Sequence, residues 1–290
     1  MPAQHNPLQQ PGASASRPSS ENGSAVPELT ERQRRELEYY ETYCRLQEPG
    51  EVSFAPVEGK ERRPWNSYWA FYERVRGYFH SPAQRLLDFG CGAGEGALRF
   101  ARVGYEVHAF DLSPGNIALC RERAARYGYA GRCHFSVQAA ETLHYPSDFF
   151  DVVAGRDILH HVEIEPAIRE CLRVLKPGGV AIFREWVETP VLDTLRRTLG
   201  AVLVPTGKSL ERHVTEDERK LNAADFALLR RLCPNLVVER SMLLGRLSRL
   251  LPPSPRPRPS FLEQIDWRLF QVLPWLRHLG GSALLTLHKR

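Results

Sequence analysis

At 290 residues, 42% of them hydrophobic and 25% charged, the chain has enough apolar side chain to bury the core of one α/β domain with additions, or of two small domains. A net charge of +5 spread over this length is not the dense basic face of a nucleic-acid binder. Cys44, Cys91, Cys120, Cys133, Cys171 and Cys233 stand far apart, with no CxxC pair and no Cys/His grouping at metal-ligand spacing, so neither a metal site nor a disulfide framework is expected.

Residues 1–27 are rich in Pro, Ser, Gln, Gly and Asn and are expected to form a disordered tail, because they offer too little apolar surface to offset ordering. No basic-then-apolar leader is present, and no apolar run nears the ~18 residues of a membrane span. A cytoplasmic location is therefore expected. A helical extension follows over 28–82. Thr30 caps a charged helix over 31–46, and a second helix over 65–79 carries Trp65, Tyr68, Trp69, Tyr72, Val75 and Phe79 at three- and four-residue spacings. That aromatic stripe either packs on the next domain or lies as a lid over a pocket.

From residue 83 onward strand and helix alternate. Strands are predicted over 85–89, 106–110, 134–137, 150–154 and 180–183, with helices over 95–103, 114–127 and 165–175. This order predicts an α/β fold with a doubly wound, mainly parallel sheet, its ligand beyond the carboxyl ends of the strands. The alternation breaks at two insertions, 187–233 and 245–280. The first looks helical and basic. The second combines leucines, Phe261, Trp267, Phe270 and Trp275 with arginines, a Pro/Arg run over 252–259 and a helix over 261–279. Such a face packs as a cap on its own core, covers a greasy substrate or makes peripheral contact with a membrane. Strands over 236–240 and 283–287 complete the pattern.

Three motifs carry chemistry. Leu86, Leu87, Asp88 and Phe89 run into Gly90, Cys91, Gly92, Ala93 and Gly94, a strand entering alternating glycines and then a helix. A ligand can approach such a backbone without meeting a Cβ, and the helix N-terminus favours its anionic group, here read as a carboxylate. Asp88 would receive the ligand's ammonium group, directly or through water. Asp111 ends the next strand, where a carboxylate can accept from both ribose hydroxyls or merely cap the helix that begins at Pro114. Lys176, Pro177, Gly178 and Gly179 read as a helix stop with a left-handed glycine ahead of a strand.

These motifs, with Ala140-Glu141-Thr142-Leu143, Phe150-Asp151-Val152-Val153 and Leu159-His160-His161-Val162, resemble the core of the class I S-adenosylmethionine (SAM)-dependent methyltransferases, in particular the quinone- and small-molecule-methylating group. The resemblance covers 84–186. It implies a seven-stranded Rossmann-like sheet closed by an antiparallel hairpin, with helical cap segments at both ends, and SAM as cofactor. By the same likeness Gly90, Cys91 and Gly92 line the methionine end of SAM, with Arg156 nearby. Asp111 holds the ribose, Leu112 lies against the adenine, and the backbone at Ala139 and Ala140 hydrogen-bonds it. Many relatives have Asp or Ser where this chain has Ala139, which removes one side-chain contact. Cys91 is a small filler of the turn.

The implied reaction is in-line displacement at a sulfonium methyl, in which the protein mainly aligns the reactants and excludes water. A base is needed only for an acceptor that must lose a proton. His160 and His161 are the candidates, His160 slightly favoured. The expected acceptor is small or lipid-like (a quinol, phenol, polyketide or similar). Two rival readings stand beside this one. From Gly92 the chain also satisfies a GxGxxA string, as in an NAD(P)-dependent oxidoreductase, although a carboxylate at Asp88 would repel a pyrophosphate. The second rival is a non-catalytic SAM-binding partner protein, since binding is not turnover. Oligomeric state leaves no trace in the sequence.

Overall fold

The computed structural model describes residues 29–46, 51–189, 194, 219–246 and 261–290. The expected tail over 1–27, most of the basic stretch over 187–233 and the Pro/Arg run over 252–259 lie outside the described residues.

Seven strands form one sheet: β1 (Arg85–Phe89), β2 (Glu106–Asp111), β3 (Cys133–Val137), β4 (Phe150–Arg156), β5 (Leu175–Trp186), β6 (Val237–Ser241) and β7 (Ser282–His288). Their order is β3-β2-β1-β4-β5-β7-β6. Pairing is parallel from β3 through β5, and β7 runs antiparallel to both β5 and β6. The chain moves outward from β1 to β3 and then returns to β4 on the other side of β1. This reversal leaves a crevice at the carboxyl ends of β1 and β4.

Helices cover both faces. α1 (Glu31–Leu46), α2 (Ala55–Glu58), α3 (Ser67–Gly77), α4 (Glu95–Val103) and α5 (Pro114–Arg126) precede β3, while α6 (Ile164–Val174), α7 (Ala223–Leu232) and α8 (Phe261–Val272) follow β4. One core layer joins α3, α4 and α5 to the sheet through Phe71, Val75, Leu98, Phe100 and Ile117. The other joins α6 and α7 through Ile168, Cys171, Phe226 and Leu229. The central strands are apolar on both faces because helices cover both.

The helix starts follow local chemistry. Asn66 accepts from the Trp69 amide at 3.1 Å to cap α3, and the Ser113 hydroxyl accepts from the Asn116 amide at 3.0 Å to cap α5, with Pro114 at its first position. Asn222 and Asp225 form a reciprocal capping box on α7.

Of the aromatic stripe, Tyr72 and Val75 are almost fully buried with Phe71 beside them, and Trp65, Tyr68, Trp69 and Phe79 are half-buried, so it packs on the neighbouring core, and burial of a side chain such as Val75 stabilises the fold by about 1.5–3 kcal/mol. Other expectations are corrected by packing. Lys176–Gly179 do not precede a strand. Leu175 already pairs with Phe150, the register then shifts, and pairing resumes at Val180, so these residues bulge within β5 with Gly178 at φ 77°. The single helix expected over 261–279 stops at Val272, and Pro274–Leu279 forms a 3-10 turn, because Pro274 lacks the N–H a continuing helix needs. α8 buries Phe270 and Asp266, whose carboxylate accepts from Leu244 N at 2.7 Å and Gly245 N at 2.8 Å. It leaves Phe261, Trp267 and Val272 exposed, and Leu273 and Trp275 just beyond it are exposed too. Among the described residues no helix is long and apolar enough to cross a membrane.

Candidate functional site

A cavity of about 280 Å³ opens at the carboxyl ends of β1, β2 and β4, under α1. Its floor is the turn between β1 and α4. The Cys91 amide donates to Phe110 O at 2.9 Å, and the Gly92 amide donates to Asp111 Oδ2 at 2.9 Å, so the turn is moored to the end of β2. Gly90 and Gly92 both hold left-handed conformations, φ 73° and 50°, for different reasons. A Cβ at Gly90 would sit 2.5 Å from the Ile158 side chain, whereas a Cβ at Gly92 would meet no protein atom within 4 Å. Gly92 thus presents bare backbone to open space in the cavity wall.

Asp111 stands in that wall as the sequence places it. Its carboxylate also accepts from Ser113 N and from Asn116 Nδ2, each at 3.0 Å. Burial pushes its carboxyl above the usual carboxylate range, while the Asn116, Ser113 and Gly92 donors pull it back. Asp111 thus braces the entry to α5 and also faces the cavity. Leu112, Ala139 and Ala140 line the same side, and together they offer an apolar slot beside an acceptor group.

The roof was not foreseen. Gln33, Glu36 and Leu37 of α1 face the cavity, an i, i+3, i+4 set on one side of the helix. α1 is tied down along its length by polar contacts. Arg32 donates to His160 O at 3.2 Å, Gln33 Nε2 donates to Glu141 Oε2 at 3.0 Å, and Glu36 Oε2 lies 3.2 Å from His161 Nδ1. Glu41 accepts from Ser113 Oγ at 2.5 Å and Gly115 N at 2.9 Å, placing its charge at the N-terminus of α5, where the helix dipole favours it. The residues that roof the cavity thus come from α1 and not from the stripe over 65–79, and the high charge of α1 suits rim contacts and not a core.

After β4 the chain turns through Arg156, Asp157 and Ile158 into a 3-10 turn, Leu159–His161. Glu185, fully buried on β5, organises this turn. Its Oε1 accepts from Ile158 N at 2.9 Å and Leu159 N at 2.8 Å, and its Oε2 lies 2.8 Å from His160 Nδ1. His160 is therefore turned into the protein and is absent from the cavity wall, while His161 lines it. This reverses the slight preference for His160. The His161 ring and Glu36 are within ion-pair range without being aligned as a hydrogen bond.

Arg156 reaches the cavity as expected, its guanidinium 4.8 Å from the centroid of the Tyr68 ring. Burial works against its charge, but Tyr72, Tyr68, Asp157 and Glu95 together hold its pKa above the ordinary arginine value. Asp88 lies behind the cavity wall. It is 5% exposed, does not line the cavity, and points under the first turn of α4, where its Oδ2 would lie 2.7 Å from a Cβ at Gly96. Burial raises its carboxyl to about 7, opposed by Arg156 and by the Ala97 amide. Cys91 lines the floor with its sulfur 3.9 Å from that of Cys120. The Cys120 contact and burial push its thiol well above the ordinary range, which suits a filler and not a nucleophile.

Residues 87–183 match the family model described as a methyltransferase domain. The chain is 37% identical over 112 residues to phosphoethanolamine N-methyltransferase 1 of Arabidopsis thaliana, covering 38% of this chain and 22% of that protein. It is 35% identical over 124 residues to the ubiquinone/menaquinone biosynthesis C-methyltransferase UbiE of Vibrio campbellii, covering 41% and 48%. The chain thus spans less than half the length of these curated relatives. Among solved structures, the [4+2]-cyclase SpnF superposes with a TM-score of 0.52 at 22% identity, over 90% of this chain and 96% of that one. A geranyl diphosphate C-methyltransferase of Streptomyces coelicolor gives 0.52 at 13%, over 91% and 99%. At these identities the superpositions speak to the fold alone.

Proposed function

We propose that the chain is a class I SAM-dependent methyltransferase that transfers the methyl group of SAM to a small or lipid-like acceptor, a reading supported by the match of residues 87–183 to a methyltransferase domain and by the likeness to UbiE. The observation that carries this reading is the pairing, inside one cavity, of bare backbone at Gly92 with the Asp111 carboxylate that receives its amide. The fit is chemical as well as spatial. Asp111 offers an anionic acceptor to ribose hydroxyls, Leu112 and Ala140 offer apolar surface to adenine, and the turn into α4 offers amides to a carboxylate. Arg156 lies beyond them towards the methionine end.

In the proposed reaction SAM supplies an electrophilic methyl. The acceptor's electron pair forms the new bond to that carbon as the carbon–sulfur bond breaks, and the pair from that bond stays on sulfur. This chain's part is alignment and exclusion of water, with α1 as the cover. Where the acceptor must lose a proton, His161 is the proposed base, and Glu36 steadies the imidazolium that results. Both curated relatives are named for methylation in small-molecule chemistry, which supports a small acceptor. The exposed aromatic residues of α8 suit a lipid-like one reached by peripheral membrane contact of a cytoplasmic protein.

The test has two stages. Calorimetry with SAM and, separately, NADH should give binding of SAM alone. Methyl-labelled SAM should then label a quinol, phenol or phosphoethanolamine-type acceptor, or the small-molecule fraction of a cell extract. Binding of NADH without SAM would restore the oxidoreductase reading. SAM binding with no labelled product would favour a non-catalytic SAM-binding protein.

A further inference from the structure

At the other end of the sheet from the cavity, β2 and its edge neighbour β3 bring together three side chains that are far apart or unremarked in sequence. Glu106 and His108 are two apart on β2 and share a face, and His108 is in register with His134 of β3. Glu106 Oε1 lies 3.5 Å from His108 Nε2 and 3.9 Å from His134 Nε2. One donor atom from each residue falls within 4.8 Å of the other two. A tetrahedral zinc ion with bonds of ~2.0–2.1 Å holds its ligand atoms roughly 3.3–3.4 Å apart, and the three donor atoms already lie near that spacing.

The surroundings prepare it for that use. The His108 ring meets the rings of Tyr145, Phe149 and Phe150 edge-on at 5.7, 5.4 and 5.4 Å, which fixes its plane. Its Nε2 is buried and makes no hydrogen bond, an atom that a metal ion would satisfy. The second oxygen of Glu106 is engaged by Arg85 Nε at 3.5 Å, and Arg85 itself lies over the Phe149 ring, 4.4 Å from its centroid. Oε1 is the Glu106 oxygen that faces the two imidazoles, although the charge of Arg85 opposes a cation.

We propose that Glu106, His108 and His134 form a binding site for a zinc-class divalent cation, with three protein donors and water in the fourth position. β2 carries Glu106 and Asp111 at opposite ends, about 16 Å apart along the strand, so this site is separate from the cavity. Its effect is to cross-link the edge strand to its neighbour, and metal occupancy raises stability by mass action.

The experiment is calorimetric titration of the metal-stripped full chain with zinc chloride, beside a thermal melt with and without zinc. One-to-one binding is expected, with a higher melting temperature in zinc. Glu106→Gln and His134→Ala, both at partly exposed positions, should fold as the parent does without zinc. Each should lose at least about a hundredfold in zinc affinity, beyond the 10–100-fold cost of disturbing only an outer-shell partner. Cobalt chloride should give the visible bands of a four-coordinate site in the parent and not in either variant. Absence of binding, or zinc affinity unchanged in His134→Ala, would overturn the assignment.

Discussion

The buried carboxylate of Asp88 makes a quantitative prediction that separates a structural role from a ligand-binding one. The side chain is 5% exposed, its Oδ2 has no hydrogen-bond partner, and burial lifts its pKa from 3.8 to about 7 against the pull of Arg156. Between those two values the folded protein keeps a proton that the unfolded chain has released. Stability contributed by this group is therefore whole below the unfolded pKa, falls as pH rises towards 7, and is level above it. A shift of about three units corresponds to at most about 4 kcal/mol, at ~1.36 kcal/mol per unit. Asp88→Asn removes the ionisation and keeps an oxygen that can accept from the Ala97 amide. The assay is urea unfolding of both proteins at several pH values from 4 to 8, compared at equal m-value. The variant should match the parent or fall slightly below it at the acid end. It should gain on the parent as pH rises, by up to about 4 kcal/mol near pH 8. All other titrating groups are shared and largely cancel in the difference. A difference that does not vary with pH would refute the claim that burial governs this carboxyl.

Three further predictions concern the cavity. Asp111→Ala should weaken SAM binding by about 1–3 kcal/mol, the scale of a lost charge-assisted hydrogen bond; an unchanged calorimetric Kd would remove Asp111 from the ribose role. Gly92→Val places a branched side chain in the open space beside the turn and should abolish SAM binding, while left-handed strain lowers stability by roughly 1–2 kcal/mol; retained affinity would mean that the ligand lies elsewhere. His161→Ala should cut kcat by about 10²–10⁴ for an acceptor that must be deprotonated, with little change in SAM affinity. His160→Ala should instead lower stability by about 1–3 kcal/mol through its lost contact to Glu185. Equal kcat losses with no stability difference would contradict the orientation of the two rings.

The division between what was legible and what was not follows the range of the interactions. Strand and helix alternation, the glycine turn and the acidic end of β2 are recorded locally, because backbone propensity, capping and the two side-chain periods act within a few residues. Those features place Gly90, Gly92 and Asp111 at the carboxyl ends of the strands, the family resemblance adds Leu112, Ala140 and Arg156, and the structure gathers all six into one cavity wall. The direction of Asp88 and the choice between His160 and His161 depend on Gly96 and on Glu185, partners from other elements. A period of two or of 3.6 carries no information about such partners. The roof is a similar case. α1 shows an i, i+3, i+4 face at Gln33, Glu36 and Leu37, but only its docking on His161, Glu141 and α5 makes that face part of the site.

The metal-ligand group shows the same limit from the other side. Spacing along the chain gave no reason to join Glu106 and His108 to His134, since parallel strands are brought into register by a crossover helix and not by proximity in sequence. The sequence by itself determined the sheet, its turn chemistry and the end of the sheet where a ligand goes. Tertiary packing decided which of two adjacent histidines meets that ligand, what covers it, and which donors gather at the far edge. Side-chain direction is set by the neighbours that fill the remaining space, and those neighbours are known only once the chain has closed.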